Sequence, residues 1–333
     1  MILCFGELLL RMTAPGRELL MQTGRLDVHV GGAEANVAVG LANLGHATAM
    51  ASVVPDNPLG RGAVTALRGQ GVDCSRVAVR DGRMGLYFLS PGAGLRASDI
   101  VYDRAGSSFA TTPAEAWDWD ALLTGCTRLH LSGITPALGD ATARAAIAAA
   151  QAAQARGLTI SFDGNYRARL WDAWDSDPRG VLTRLVAMTD LFFGNHRDIA
   201  LLLDKPFSGN GAERRREAAE AAFAAFPKLR HIASTARHVD DADRHRLSAR
   251  IDTPMSAVQT EEVAISGIVD RIGGGDAFAS GVLHALMSGR DEATAANWGL
   301  AVAALKHSLP GDFSLFRQSD IDAFLSGGLD VRR

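Results

Sequence analysis

Little in this 333-residue chain points outside the cytoplasm or toward nucleic acid. Its three cysteines, Cys4, Cys74 and Cys126, stand far apart with no CxxC pair. That excludes a zinc ribbon and a disulfide framework and fits a reducing compartment. No apolar run reaches the ~18 residues that a membrane-spanning helix needs, so no membrane partner is expected. The first residues, 1–7, lack the basic region and long apolar stretch of a signal peptide, and a cytoplasmic location is expected. The formal net charge of −3 gives no basic excess for nucleic acid. The run Arg214-Arg215-Arg216 lies in an Ala/Glu-rich stretch and reads as a solvated helix face. Two nucleotide motifs are also missing: there is no GxxxxGKS/T, and no GxGxxG follows the first apolar run. His196-Arg197-Asp198 spells a protein-kinase tripeptide, but Leu203 stands where that loop needs Asn, so the match is taken as chance.

What is present is enough apolar residue, 47% of the chain, to build a large α/β core. Residues 2–10 read as a buried first strand. Turn signals at 14–16 and alternation at Leu26, Val28 and Val30 suggest strands with one exposed face. Ala35, Val37, Ala38, Leu41 and Leu44 recur at helical spacing, and Gly45 closes that run. Segment 47–54 reads as a strand, and 85–89 and 100–102 as two more. Beyond these, strands at 129–131, 158–163, 191–193 and 232–234 alternate with helices at 141–155, 181–188 and 214–226. Such alternation implies a parallel sheet covered on both faces. The strand-only segments, about 9–31 and 85–110, break the rhythm and are expected to form a small second sheet over one end of the first. Ligands of open α/β sheets bind outside the carboxyl ends of the strands, so a flap there would act as a lid.

The strongest local signal is Asp270-Arg271-Ile272-Gly273-Gly274-Gly275-Asp276-Ala277-Phe278. Three glycines run into an amphipathic helix carrying Phe278, Val282, Leu283 and Leu286. Backbone N–H groups there are free to face an anion, and the helix terminus adds partial positive charge. An Asp would repel a phosphate at that place unless it takes the proton of a hydroxyl attacking that phosphate. Phosphoryl transfer needs positioning, charge stabilisation and one such residue. On the residues alone, a glycine turn with Asp276 as an ordinary helix N-cap stands equally open.

The Asp276 segment resembles the C-terminal signature of the ribokinase-like (PfkB) carbohydrate kinases. Gly31-Gly32-Ala33-Glu34-Ala35-Asn36-Val37-Ala38 is similar to their N-terminal signature, and Asp56, Gly60 and Gly71-Val72-Asp73 also follow the pattern. Within the family the chain looks most like the 2-keto-3-deoxygluconate kinases. Segments 5–12, 101–107, 163–167 and 304–313 carry that likeness, as does the pair Arg271-Ile272.

The resemblance implies one ribokinase-like α/β domain over 1–333 with a β-sheet lid, and a homo-oligomer formed through the lid. It also implies ATP and Mg²⁺, with a monovalent cation as a further expectation, and a small sugar or sugar acid as acceptor. Asp276 would be the base, and Gly273, Gly274 and Gly275 the anion hole. Gly32, Asn36, Tyr87, Tyr102, Arg104 and Arg167 would bind the acceptor. A planar, permanently charged Arg suits a carboxylate, and the two tyrosines offer hydroxyls and an apolar wall. Asn195, Thr235, Arg237, Asn297 and His307 would line the nucleotide. Asp198 would serve the metal, although the family has Glu at that position. Alternatives are a fructokinase, a ribokinase, the galactonate epimer's kinase, and a non-enzymatic sugar sensor.

Overall fold

A computed structural model describes residues 1–327. In chain order its strands are β1 (Ile2–Phe5), β2 (Leu9–Thr13), β3 (Asp27–Gly31), β4 (Thr48–Pro55), β5 (Val77–Arg80), β6 (Gly85–Ser90), β7 (Asp99–Asp103), β8 (Arg128–Ser132), β9 (Thr159–Asp163), β10 (Leu191–Phe193), β11 (His231–Asp241), β12 (Arg244–Asp252), β13 (Ala257–Gln259) and β14 (Val263–Ser266). The large sheet runs β13-β12-β11-β10-β9-β8-β1-β4-β5, with β14 also on β12. From β11 to β5 every neighbour is parallel. All four residues of β1 and all eight of β4 are buried, as continuous apolar strands covered on both faces should be. Side chains alternate across a strand. Leu3 and Phe5 accordingly enter the core under helix Asp140–Ala155. Ile2 and Cys4 enter the opposite one, under helices Ala33–Asn43, Gly274–Met287 and Glu292–Lys306.

The second sheet has the order β3-β2-β6-β7. Its register aligns His29, Arg11, Tyr87 and Tyr102 in one row. The adjacent rows are Val28, Met12, Phe88, Val101 and Val30, Leu10, Leu86, Asp103. Residues in register share a face and the next row takes the other. One side of this sheet is therefore polar and aromatic, and the other mainly apolar.

Two expectations change. The apolar run 2–10 is two strands, not one: β1 pairs with β4 and β8 in the large sheet, whereas Leu9 pairs with Gly31 and Gly85 in the small one. The strand expected at 232–234 extends to Asp241 and turns back as β12, so the sheet is mixed at this edge. Charged side chains such as Arg237, Arg244 and Arg246 mask that hairpin in sequence, because one face of an edge strand is free to be polar.

Candidate active site

The carboxyl ends of β1, β8 and β9 meet the N-termini of helices Ala33–Asn43 and Gly274–Met287. The first of these helices starts at Gly32, whose φ is 140°. A Cβ at Gly32 would lie 2.2 Å from the Glu7 carbonyl oxygen, so only glycine lets the chain turn there. In its first turn, Glu34 is fully buried. Its Oε1 accepts hydrogen bonds from the Ser132 amide (3.1 Å), Ser132 Oγ (2.8 Å) and Thr135 Oγ1 (2.8 Å), which ties the helix to the end of β8. Two residues on, Asn36 Nδ2 donates to Asp276 Oδ2 at 2.6 Å.

Asp276 is not the N-cap of its helix. Gly273 holds that position with φ 78°, and a Cβ on it would fall 2.0 Å from the Asp312 carbonyl oxygen. The Ala277 amide donates to Gly273 O and the Gly274 amide to Arg271 O. Among the described residues, the amides of Gly275 and Asp276 have no backbone acceptor. Two donors at a helix N-terminus are thus left for an anion. The Asp276 side chain turns away from its own backbone to Asn36. Burial pushes its carboxyl up to about 8 despite that bond, with Asp163, Asp312 and Glu34 adding in the same direction. Such a group is matched to proton transfer near neutral pH.

The turn before Gly273 is fixed by buried charges. Asp270 Oδ1 accepts from the Ile272 amide (2.9 Å), and Asp270 Oδ2 from the Gly311 amide (3.1 Å) and Arg11 Nη2 (2.6 Å). Arg11, wholly buried, also lies 3.1 Å from Asp312, and Tyr87 Oη donates to Asp312 Oδ2 at 2.9 Å. The polar row of the small sheet is in this way bonded to the glycine turn. Lys306 is buried beside the same two aspartates and donates to Leu309 O at 3.0 Å.

The remaining expected residues fall into three groups. Arg167 is exposed just past β9, within electrostatic reach of Asp163 and Asp198. Burial first, and then Asp198, raise the Asp163 carboxyl to about 7. Asn195 caps helix His196–Leu203, and Asp198 Oδ2 closes the capping box on the Asn195 amide at 2.8 Å. On the other side, Thr235 and Arg237 stand two apart on β11. Arg237 has its pKa lowered by burial and by Arg271 close by. His307 faces Gly274, with its imidazole held neutral by burial, down at about 4.

The third group is engaged within the protein. Arg104 is buried, with Nε at 2.8 Å and Nη2 at 2.7 Å from Glu7 Oε2, while Ser107 Oγ donates to Glu7 Oε1. Tyr87 gives its hydroxyl to Asp312. Tyr102 packs beside Tyr87, with ring centroids 6.2 Å apart. Asn297 is exposed and turns its amide onto Ala293 O. Sequence reasoning missed Arg11, Glu34, Asp163, Asp270 and Asp312. One signal was available: Arg11 is a lone charge in the run Leu8-Leu9-Leu10-Arg11-Met12, and a charge in a buried strand needs a partner.

No group of three or more His, Cys, Asp or Glu among the described residues is arranged to hold a metal ion. Mg²⁺, however, keeps most of its water and uses one or two carboxylates together with phosphate oxygens. Asp163 and Asp198, close enough for the Asp198 charge to raise the Asp163 carboxyl, meet that smaller requirement.

The sequence pattern of the pfkB family carbohydrate kinases matches residues 1–314. The 2-dehydro-3-deoxygalactonokinase of Haloferax volcanii is 31% identical over 327 residues, covering 98% of this chain and 97% of that protein. Among solved structures, a PfkB family carbohydrate kinase from Listeria grayi has 37% identity and a TM-score of 0.91, over 98% of this chain and 99% of that one. The 2-dehydro-3-deoxygluconokinase of Thermotoga maritima has 34% identity and a TM-score of 0.92, with the same two coverages.

Proposed function

The chain belongs to the pfkB family of carbohydrate kinases, and from that premise we propose that it phosphorylates 2-keto-3-deoxygluconate (2-dehydro-3-deoxygluconate) at its 6-hydroxyl, using ATP. The observation that carries the reading is the basic, Asn36-bonded Asp276 carboxyl beside two amides without a backbone acceptor. Asp276 takes the proton of the attacking hydroxyl. The amides of Gly275 and Asp276 face the negative charge that develops on the transferred group, and the helix terminus adds to their effect. Asn36 fixes the carboxylate's direction. Arg237 and Arg271 supply positive charge on the nucleotide side, and His307, being neutral, packs against the turn without adding to it. Asp198 and Asp163 would hold Mg²⁺ through its waters, and the ion would supply charge neutralisation on the phosphates.

The sugar-acid assignment rests on Arg167 and on the relatives' names. The Arg167 guanidinium donates to Tyr166 O at 3.0 Å, forms no ion pair among the described residues, and stands at the mouth beside β9, free to grip an acid bidentately. The Haloferax relative favours a second reading, the galactonate epimer. The small sheet acts as the lid over the acceptor. Its apolar side, with Val28 and Val101 more than half exposed, meets a second copy of the chain. A cytoplasmic enzyme fits the free cysteines. An ADP-release assay over both epimers, fructose, ribose and gluconate tests the reading. Preference for a neutral sugar by an order of magnitude in kcat/KM would overturn it.

A further inference from the structure

The opposite edge of the large sheet, where β8 to β11 begin, carries a cavity of about 470 Å³. That is within the ~300–1,000 Å³ typical of small-molecule sites. Leu158, Leu191, Leu283 and Leu286 make an apolar floor, and Arg128, Lys228 and Arg230 a basic rim. The single acid in the lining, Asp190, is already engaged: its Oδ2 accepts from Lys228 Nζ at 2.7 Å and from the Ile160 amide at 2.8 Å. Arg230 reaches Asp190 only at 4.0 Å and is mostly exposed. The Arg128 side chain makes no hydrogen bond or ion pair with any described residue. It is partly buried, and burial lowers its pKa against a smaller opposing effect of Asp190. A partly desolvated guanidinium with no ion-pair partner costs free energy that an anion would recover.

We infer that this cavity is a second ligand site, on the far edge of the sheet from Asp276, for a short organic acid bearing a carboxylate or a phosphate ester. The basic rim takes the oxyanion, where the Arg128 fork offers paired donors. The leucine floor takes a body of a few carbons. The site also has a physical link to catalysis. Leu283 and Leu286 belong to the helix whose first turn carries Asp276, about 10 and about 15 Å away along its axis at ~1.5 Å per residue. An occupant therefore presses on the far end of the helix that holds the base.

The test is calorimetric titration of the full chain, with the phosphate cradle first saturated by Mg²⁺ and a non-hydrolysable ATP analogue. The probes are 3-phosphoglycerate, a three-carbon body carrying both groups, and inorganic phosphate. We expect one molecule of 3-phosphoglycerate per chain at submillimolar affinity and weaker binding of phosphate. Arg128→Ala should weaken 3-phosphoglycerate at least tenfold, and Arg128→Lys should restore part of the loss. Arg230→Ala, at an exposed position that does not endanger folding, should weaken it about threefold. Failure of the wild type to bind either anion, or equal affinity in wild type, Arg128→Ala and Arg230→Ala, would overturn the site. Inorganic phosphate binding as tightly as 3-phosphoglycerate would show the leucine floor to be idle and overturn the organic-acid assignment.

Discussion

Asp276→Asn keeps the side chain's shape and removes its charge and its proton, and two measurements should then move in opposite directions. In the folded chain this carboxyl sits at about 8 rather than 3.8. The folded state therefore binds the proton more tightly than the unfolded one. The contribution of this group to stability is greatest below the lower value and falls as pH rises toward the upper, by about 1.4 kcal/mol per pH unit. An Asn does not titrate. The variant should be the more stable protein, with a gap near zero at pH 4 that widens to on the order of 5 kcal/mol at pH 8. That is an upper figure, because the side chain keeps some solvent contact. Thermal unfolding followed by circular dichroism at pH 5, 6.5 and 8 reads it directly. Turnover should fall by about 10²–10⁴, and wild-type kcat/KM should rise with pH and level off above about 8, where the carboxylate form dominates. A stability gap that does not change with pH would refute the buried, proton-holding carboxyl. Retention of more than a tenth of kcat would refute its role as the base.

Other outcomes follow from the same geometry. Gly273→Ala forces a left-handed conformation that costs ~1–2 kcal/mol for an L side chain and drives a Cβ onto the Asp312 carbonyl, so Tm should drop and KM for ATP should rise; unchanged values of both would free the turn from that constraint. Arg167→Ala should lower kcat/KM for 2-keto-3-deoxygluconate about ten- to a hundredfold and affect a neutral ketose much less, whereas equal losses on both would remove the carboxylate contact. Arg11→Met strands the buried Asp312 and the half-buried Asp270 and should cost about 3–5 kcal/mol. Adding Asp312→Asn should recover part of that cost, and simple additivity in denaturant titrations would mean that the three groups do not act as a unit. Val28→Glu with Val101→Glu puts charge on the apolar side of the small sheet and should shift sedimentation toward the monomer; an unmoved sedimentation coefficient would place the contact between copies elsewhere.

The elements that sequence made legible are those whose cause is local. β1 and β4 are unbroken apolar runs, helix Asp140–Ala155 is alanine-rich and closed by glycine, and three glycines before an apolar helix mark the turn at Gly273. What stayed hidden depends on partners far along the chain. Asn36 and Asp276 meet across 240 positions, Arg11 and Asp270 across 259, and Arg104 and Glu7 across 97. Residue type shows that Arg104 needs an anion, but it does not say whether a ligand or Glu7 provides one. The same holds for the Tyr87 hydroxyl. The hairpin β11–β12 was hidden for a different reason: its outward face is charged, and only Leu247, Ala249 and Ile251 keep the two-residue apolar period.

The bonding of Arg11 and Tyr87 to Asp270 and Asp312 has a thermodynamic consequence. One strand row of the small sheet and the backbone of the glycine turn share a single balance of charge, so neither moves without disturbing the other's partners. Two ligands that each bear on one of these parts must then influence one another's affinity, and by linkage the effect is equal in both directions. Under the proposed function, an acceptor that drew the small sheet inward would tighten the glycine turn for the nucleotide, and a bound nucleotide would raise affinity for the acceptor by the same factor. Cutting the connection at Arg11 would leave two independent binding equilibria where the intact chain has one coupled pair.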